Sequence, residues 1–409
     1  MPAGSHYLTA TQAADALGVT RATLYAYASR GQLRSEAIPG RPRERRYYRE
    51  DLERLQQRKE ARRDPNAAAA RGLHWGGPVL DSGLTLIHDG RFYYRGRDAV
   101  QLAGTASVEH VAALLWAADD TEREQLFEQP CALSPRQLAQ LRTCTKDPFT
   151  RLQIALCVAA ALDAASCDLR PAAVRQTAAR IIRLLTKVIT RHGRRRREPL
   201  HRALQAAWAP KTDGVGDVIR TALVLCADHE LNVSAFTARC AASAGASPYD
   251  VVSAAMATLK GYKHGGAADR VLSLLAGSGT PKRARAVVAN GLRRGEHLPG
   301  FGHPLYPAGD PRAVLLLRLA QATGNEVEWR PIRNLWRAGS ELLNEFPNLD
   351  FGLAAVTRTY LLPHEAPLLL FALGRTIGWM AHAIEEYASG QLIRPRARYT
   401  GPVPEASRA

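Results

Sequence analysis

The chain of 409 residues lacks any apolar run long enough to span a bilayer, the longest being stretches such as Ala366 to Leu373. It also lacks a charged leader followed by an apolar segment over its first twelve residues. Both absences argue against a membrane partner and point to a cytoplasmic protein. The six cysteines (Cys131, Cys144, Cys157, Cys167, Cys226, Cys240) show no Cys-x-x-Cys spacing. Structural zinc and a disulfide scaffold therefore have no support, and the cysteines read as reduced, small core residues. No internal repeat or low-complexity tract is evident. Acid is scarce: 38 Asp and Glu face 55 Lys and Arg, a net charge of +17 that attracts nucleic acid or anionic small molecules. The 46% hydrophobic content is ordinary for a globular protein, and the length suits two or three compact units.

Residues 7 to 34 carry the first local pattern. Thr9 is placed to cap a helix with Ala13, Ala14 and Leu17 facing inward, Gly18 makes a turn, and Thr20 caps a second helix with Leu24 and Tyr27 inward. Arg21, Thr23, Tyr25 and Arg30 occupy its more polar positions, and a basic hairpin follows with Arg41, Arg43, Arg45 and Arg46. Residues 1 to 63 hold thirteen Lys and Arg against seven Asp and Glu. This helix-turn-helix resembles the small winged modules of the MerR and excisionase kind, including the start of a third helix at Arg49-Glu50-Asp51-Leu52. The resemblance implies contact with double-stranded DNA through Arg21, Thr23, Tyr25, Arg43, Arg45 and Arg46. A helical appendage whose arginines are merely solvated is the alternative.

Residues 64 to 75 read as a linker. Asp89-Gly90 between two apolar runs predicts a hairpin. Beyond it Leu and Ala recur at three- and four-residue spacing, which predicts an all-α body. Helices are expected at Val108 to Trp116, Ser134 to Leu141, Arg151 to Ala164, Ala172 to Thr190, Val218 to Ala242 and Pro248 to Leu259. More follow at Ala313 to Ala322, Ile332 to Asn344, Asn348 to Thr359 and Ala366 to Ala388. The basic run 191–197 reads as a solvated loop, with DNA or coenzyme A phosphates as the alternative contact.

Two histidine loops dominate the second half: Gly261-Tyr262-Lys263-His264-Gly265-Gly266, and Pro299-Gly300-Phe301-Gly302-His303-Pro304 leading to Asp310-Pro311-Arg312. Glycine beside each histidine removes bulk where a ligand would approach. Arg375 lies in an apolar run, Leu368 to Trp379, where a buried guanidinium needs an anion. A ligand and an internal ion pair with Glu385 or Glu386 are the two readings. A two-histidine, one-carboxylate iron site is disfavoured by the surplus of arginine and by the lack of a close His-x-Asp pairing, so no metal is assigned.

With Asp228-His229-Glu230-Leu231-Asn232, Asn348-Leu349-Asp350-Phe351, Gly374-Arg375 and Ile393-Arg394-Pro395-Arg396 in order, these blocks resemble the active-site signature of the citrate synthase family over residues 75 to 400. The resemblance implies a large domain at 76–265 and 362–409, a small domain at 266–361, and a homodimer. It implies condensation of acetyl-CoA with oxaloacetate to citrate and coenzyme A, the thioester being co-substrate and no cofactor being permanently bound. Asp350 would be the base, His264 the donor to the thioester oxygen and His303 the electrophile at the ketone. Arg312 and Arg375 would clamp the dicarboxylate, with His229 as an oxygen contact and Arg394 reaching in from a second subunit. Propionyl-CoA in a 2-methylcitrate synthase, or a transcription regulator with a metabolite-sensing body, are the alternatives. The sequence departs from the family at Lys263, where an apolar residue is usual, at Ala268-Asp269, where Asn-Glu is frequent, and at Pro304, where arginine is. Pro304 puts coenzyme A contacts in question, and a cation at Lys263 is expected to help hold His264 neutral.

Overall fold

The computed structural model describes residues 7–38, 41–49, 51–52, 55, 79–128, 131–190, 198–323, 325–397 and 399–402. The 64–75 linker, the 191–197 run and the Arg43 side chain lie outside the described residues. The chain divides into two compact units, Met1–Asp81 and Ser82–Ala409. Ser82 and Gly83 open the second unit, and their hydroxyl and main-chain N–H both donate to Glu385, at 2.9 Å each.

The head follows its capping signals. Thr9 closes a capping box with Gln12 at the start of α1 (Ala10–Leu17), Gly18 takes the left-handed conformation, and Thr20 caps α2 (Arg21–Ser29). Strands β1 (Tyr7–Thr9), β2 (Ser35–Ile38) and β3 (Arg41–Tyr48) form an antiparallel sheet in the order β1-β3-β2, so the expected basic hairpin is present. Ala13, Ala14, Leu17, Leu24, Leu33, Tyr47 and Leu52 make its core, with Tyr27 half-buried against them.

The body opens with β4 (Thr85–His88) and β5 (Arg91–Tyr94), and Asp89 and Gly90 both hold positive φ, 49° and 70°, in the tight turn between them. The rest of the described body is helical apart from the short strand Arg97–Asp98. The element at its centre is Ala366–Ser389, whose most apolar stretch is 94% buried. It is long and apolar enough to cross a membrane by composition, but here it is the core helix of the body. Gly374 and Gly378 let the chain from Leu223 to Asp228 lie against it. A Cβ at Gly374 would stand 2.6 Å from the Leu223 carbonyl oxygen, and one at Gly378 2.3 Å from that of Ala227.

Three expectations need correction. The helix expected over Val218 to Ala242 is two, Val215–Cys226 and Val233–Ser243, because Glu230 turns left-handed at φ 51° and Asn232 caps the second. Helices also form at Ala99–Thr105, Asp120–Leu126, Leu200–Trp208, Ala267–Ala276 and Pro281–Arg293, where none was expected. The six cysteines are free, but only Cys226 is buried; Cys144, Cys157 and Cys167 sit on exposed helix faces.

Candidate active site

Main-chain pairing brings the second histidine loop to the Asp350 helix. Phe301 and Pro347 form an antiparallel bridge, Gly302 N–H donates to Phe346 O at 2.9 Å, and Asn348 N–H to Gly300 O at 2.9 Å. Gly300 adopts φ 87°, and a Cβ there would lie 2.6 Å from a Val271 methyl. Asn348 then caps the helix Leu349–Thr359 through the Asp350 N–H, at 3.1 Å. His303 and Asp350 are therefore placed by hydrogen-bonded backbone and not by free loops.

Asp310 ties the neighbouring cation to the same frame. It accepts from Arg312 Nε at 2.9 Å, from an Arg312 terminal nitrogen at 2.8 Å, from Arg312 N at 3.0 Å and from Leu349 N at 3.0 Å. Burial by itself would lower the Arg312 pKa, but Asp310 outweighs it and the guanidinium is held above its ordinary value. Arg375 donates from Nε to the Cys226 carbonyl at 2.7 Å and pairs with no carboxylate among the described residues. Glu385 and Glu386, the partners an internal ion pair required, are bound to Arg239 instead, at 3.0 and 2.6 Å.

The histidines fall into two groups. His229, at the helix break, packs edge-on to His303 with ring centres 5.1 Å apart, and its Nε2 lies 2.9 Å from the Tyr306 hydroxyl. Leu305 N–H donates to His303 Nδ1 at 3.2 Å, so a neutral His303 carries its proton on Nε2. His264 stands 2.9 Å from Ser234 Oγ through Nε2, and its ring meets Phe371, which lies beneath Arg375. Ser234 in turn donates to Asn232 at 2.8 Å and accepts from the Trp379 indole at 3.1 Å. Its single proton decides which His264 nitrogen is protonated.

Electrostatics join both groups. Burial, then the Arg375 charge, lowers His264 to about 4. Burial and Arg312, against Asp310, bring His303 to about 4. Burial, followed by Arg312, His303 and Arg375, holds His229 well below its usual value. All three rings are neutral near pH 7. Asp350 moves the opposite way: burial and the charge of Asp310 push its carboxyl up to about 7 against the pull of Arg312 and Arg375. Its side chain retains some exposure as a whole, yet Oδ1 is sealed from solvent and has no hydrogen-bond partner. The field of Arg375 reaches His264, His229 and Asp350 alike, so the three sequence-predicted groups share one charged centre. Lys263 is not the source of His264 neutrality. It is exposed beside the Tyr262 ring, and burial with Arg375 does what the sequence suggested for it.

Against this geometry, the family model of the citrate synthase C-terminal domain matches residues 72–396. The chain belongs to the citrate synthase family. A helix-turn-helix domain model matches residues 7–60 at its N-terminus, and the protein is an enzyme of the citrate synthase type carrying that extra domain. Citrate synthase 2 of Bacillus subtilis is 31% identical over 371 residues, 82% of this chain and 96% of its own length. The citrate synthase of Haloferax volcanii is 32% identical over 366 residues, 81% and 95% of the two chains. The crystal structure of citrate synthase from Thermotoga maritima superposes with a TM-score of 0.70 at 25% identity, covering 82% of this chain and 98% of that one.

Not every expected residue of this family member joins the centre. Arg394 is exposed, in the irregular segment after the core helix. Among the head residues, Tyr25 is 51% exposed on α2, and Arg21 is hydrogen-bonded to Thr11. Thr23 shares a hydroxyl contact with Thr20, Arg45 bonds Ser35, and Arg46 is paired with Glu36 over the Tyr7 ring. Sequence reading missed Tyr306, Asp310, Ser234 and Trp379 as parts of the site. Only Asp310 left a signal, as Asp-Pro at a helix start.

Proposed function

We propose that the body condenses the methyl carbon of acetyl-CoA with the ketone of oxaloacetate and releases citrate and coenzyme A. The observation that carries this reading is the sealed, unpartnered Asp350 oxygen, titrating near 7 between neutral histidines and two buried guanidinium groups. Such a carboxylate is matched to removing a weakly acidic proton at neutral pH. Asp350 takes the methyl proton while His264, its Nε2 receiving the Ser234 proton when that hydroxyl turns from Asn232, donates from Nδ1 to the developing enolate oxygen. The new carbanion attacks the ketone, and the Nε2 proton of His303 passes to the oxygen that becomes the citrate hydroxyl. Water then cleaves the thioester and frees the thiol.

Arg375 and the outward N–H groups of Arg312 bind the two substrate carboxylates, and His229 borders the same substrate. In this reading 266–361 is a small domain that closes on the 76–265 and 362–409 domain and shuts out water, and Arg394 serves the site of a second copy in a homodimer. Arg270, which lines a cavity of about 230 Å³ beside Pro299, supplies a cation for coenzyme A phosphates where Pro304 supplies none, while Arg294 in the same cavity is paired with Glu296 and contributes less. Propionyl-CoA differs by one methylene, a discrimination of roughly 1 to 3 kcal/mol, so both acyl donors belong in the assay.

Thiol release from acetyl-CoA and propionyl-CoA with oxaloacetate tests the proposal. The wild type releases thiol, and Asp350→Asn loses about 10²- to 10⁴-fold. No release with either donor would leave the regulator reading, in which DNA binding responds to ligand without turnover. The head, in our reading, binds duplex DNA through the exposed face of α2, with Arg21 and Tyr25, and through Arg45. Arg46 is neutralised by Glu36 and contributes less. A log–log salt slope near zero for duplex binding would contradict this.

A further inference from the structure

Tyr306 has no role in the reading above, yet it touches more of the site than any other aromatic residue. A turn places it: Tyr306 N–H donates to His303 O at 2.9 Å, and Gly309 N–H to Tyr306 O at 3.0 Å. The side chain is 3% exposed. Its ring centre lies 5.0 Å from that of His303 and 5.5 Å from that of His229, with the Arg312 guanidinium 5.5 Å away. The hydroxyl reaches His229 Nε2 at 2.9 Å.

A neutral imidazole has one donor and one acceptor nitrogen. The main chain of His229 itself favours a protonated ring nitrogen, and with Nε2 facing the Tyr306 hydroxyl that nitrogen is Nδ1. The phenol keeps its proton, since burial raises its pKa against Arg312. We propose that Tyr306 is a positioning residue that donates to His229 Nε2 and thereby fixes the tautomer and ring plane of His229 against His303. The arrangement has a purpose beside an anionic substrate. An uncovered Nε2 lone pair would repel a carboxylate, and the Tyr306 proton covers it. This inference rests on the proposed 2-oxo acid site for its kinetic consequence, but not for its geometry.

The test uses the full-length protein with ¹⁵N-labelled histidine. At pH 7.5 the wild type shows His229 with Nδ1 protonated and Nε2 as a hydrogen-bonded acceptor. In Tyr306→Phe the Nε2 resonance moves to the free-acceptor position and both tautomers are populated, while 3-fluorotyrosine at position 306, a stronger donor, moves it the other way. The KM for oxaloacetate rises about five- to tenfold in Tyr306→Phe, the size of one lost hydrogen bond, with kcat and the KM for the acyl thioester within about threefold. Unchanged His229 resonances in both variants would overturn the assignment, as would a Tyr306→Phe enzyme with the wild-type KM. If the wild type itself turns over no substrate, the functional reading fails while the spectra still decide the role of Tyr306.

Discussion

Two aspartates at the starts of two helices, Asp310 and Asp350, lie in one site and have opposite surroundings. Asp310 caps Pro311–Ala322 and receives a donor from every side: three N–H groups of Arg312 and the main chain of Leu349. Asp350 sits in the first turn of Leu349–Thr359, where the helix dipole favours an anion, but its Oδ1 has no donor. The first is a fixed point that sets the position of Arg312. The second is left short of partners, and its proton becomes available near neutral pH. Saturation gives geometry and deprivation gives reactivity, within a few residues of each other in space.

Removing the deprived carboxylate has the largest expected effect. Asp350→Asn lowers turnover about 10²- to 10⁴-fold. Its stability effect has a definite sign. The folded pKa is raised to about 7 above an unfolded value of 3.8, so the native state holds the extra proton between those limits. Wild-type stability therefore falls as pH rises through that window. Asp350→Asn should melt higher than wild type at pH 8 and at the same temperature near pH 4; a lower melting point at pH 8 would count against a buried, unpaired charge.

Breaking the saturated partner comes next. Asp310→Asn leaves Arg312 buried without its anion and should destabilise the fold by about 3 to 5 kcal/mol, read from denaturant midpoints. Because the Asp310 charge also raises the Asp350 pKa, any surviving activity should show its acid limb at lower pH than wild type. A smaller effect tests Arg375, which pulls the Asp350 pKa down and holds His264 down. Arg375→Ala should move the acid limb of kcat/KM above 7 and raise the KM for oxaloacetate roughly tenfold or more. Lys263→Ala should leave the same profile unmoved, since its ammonium is exposed.

His264, His303 and Arg375 stood out because glycine, proline and buried charge leave marks on a linear sequence, whereas His229, Arg312 and Asp350 were read only through the resemblance to the citrate synthase family. The helical body was legible from its spacing, and the head from its caps. The break at Glu230 was not: it contains neither glycine nor proline, and only the cap at Asn232 hinted at it. Tyr306 and Ser234 were illegible for another reason. Their partners, His229 and His264, stand 77 and 30 residues away, and a hydroxyl has no local pattern until the fold brings its acceptor near. Lys263 misled because proximity in sequence to His264 is not proximity of charge in space.

The most direct test is the pH dependence of kcat/KM for thiol release with acetyl-CoA and oxaloacetate. The account predicts a rise through a single inflection near 7, lost in Asp350→Asn. A profile flat between pH 6 and 8, or an Asp350→Asn enzyme with wild-type rates, would contradict it.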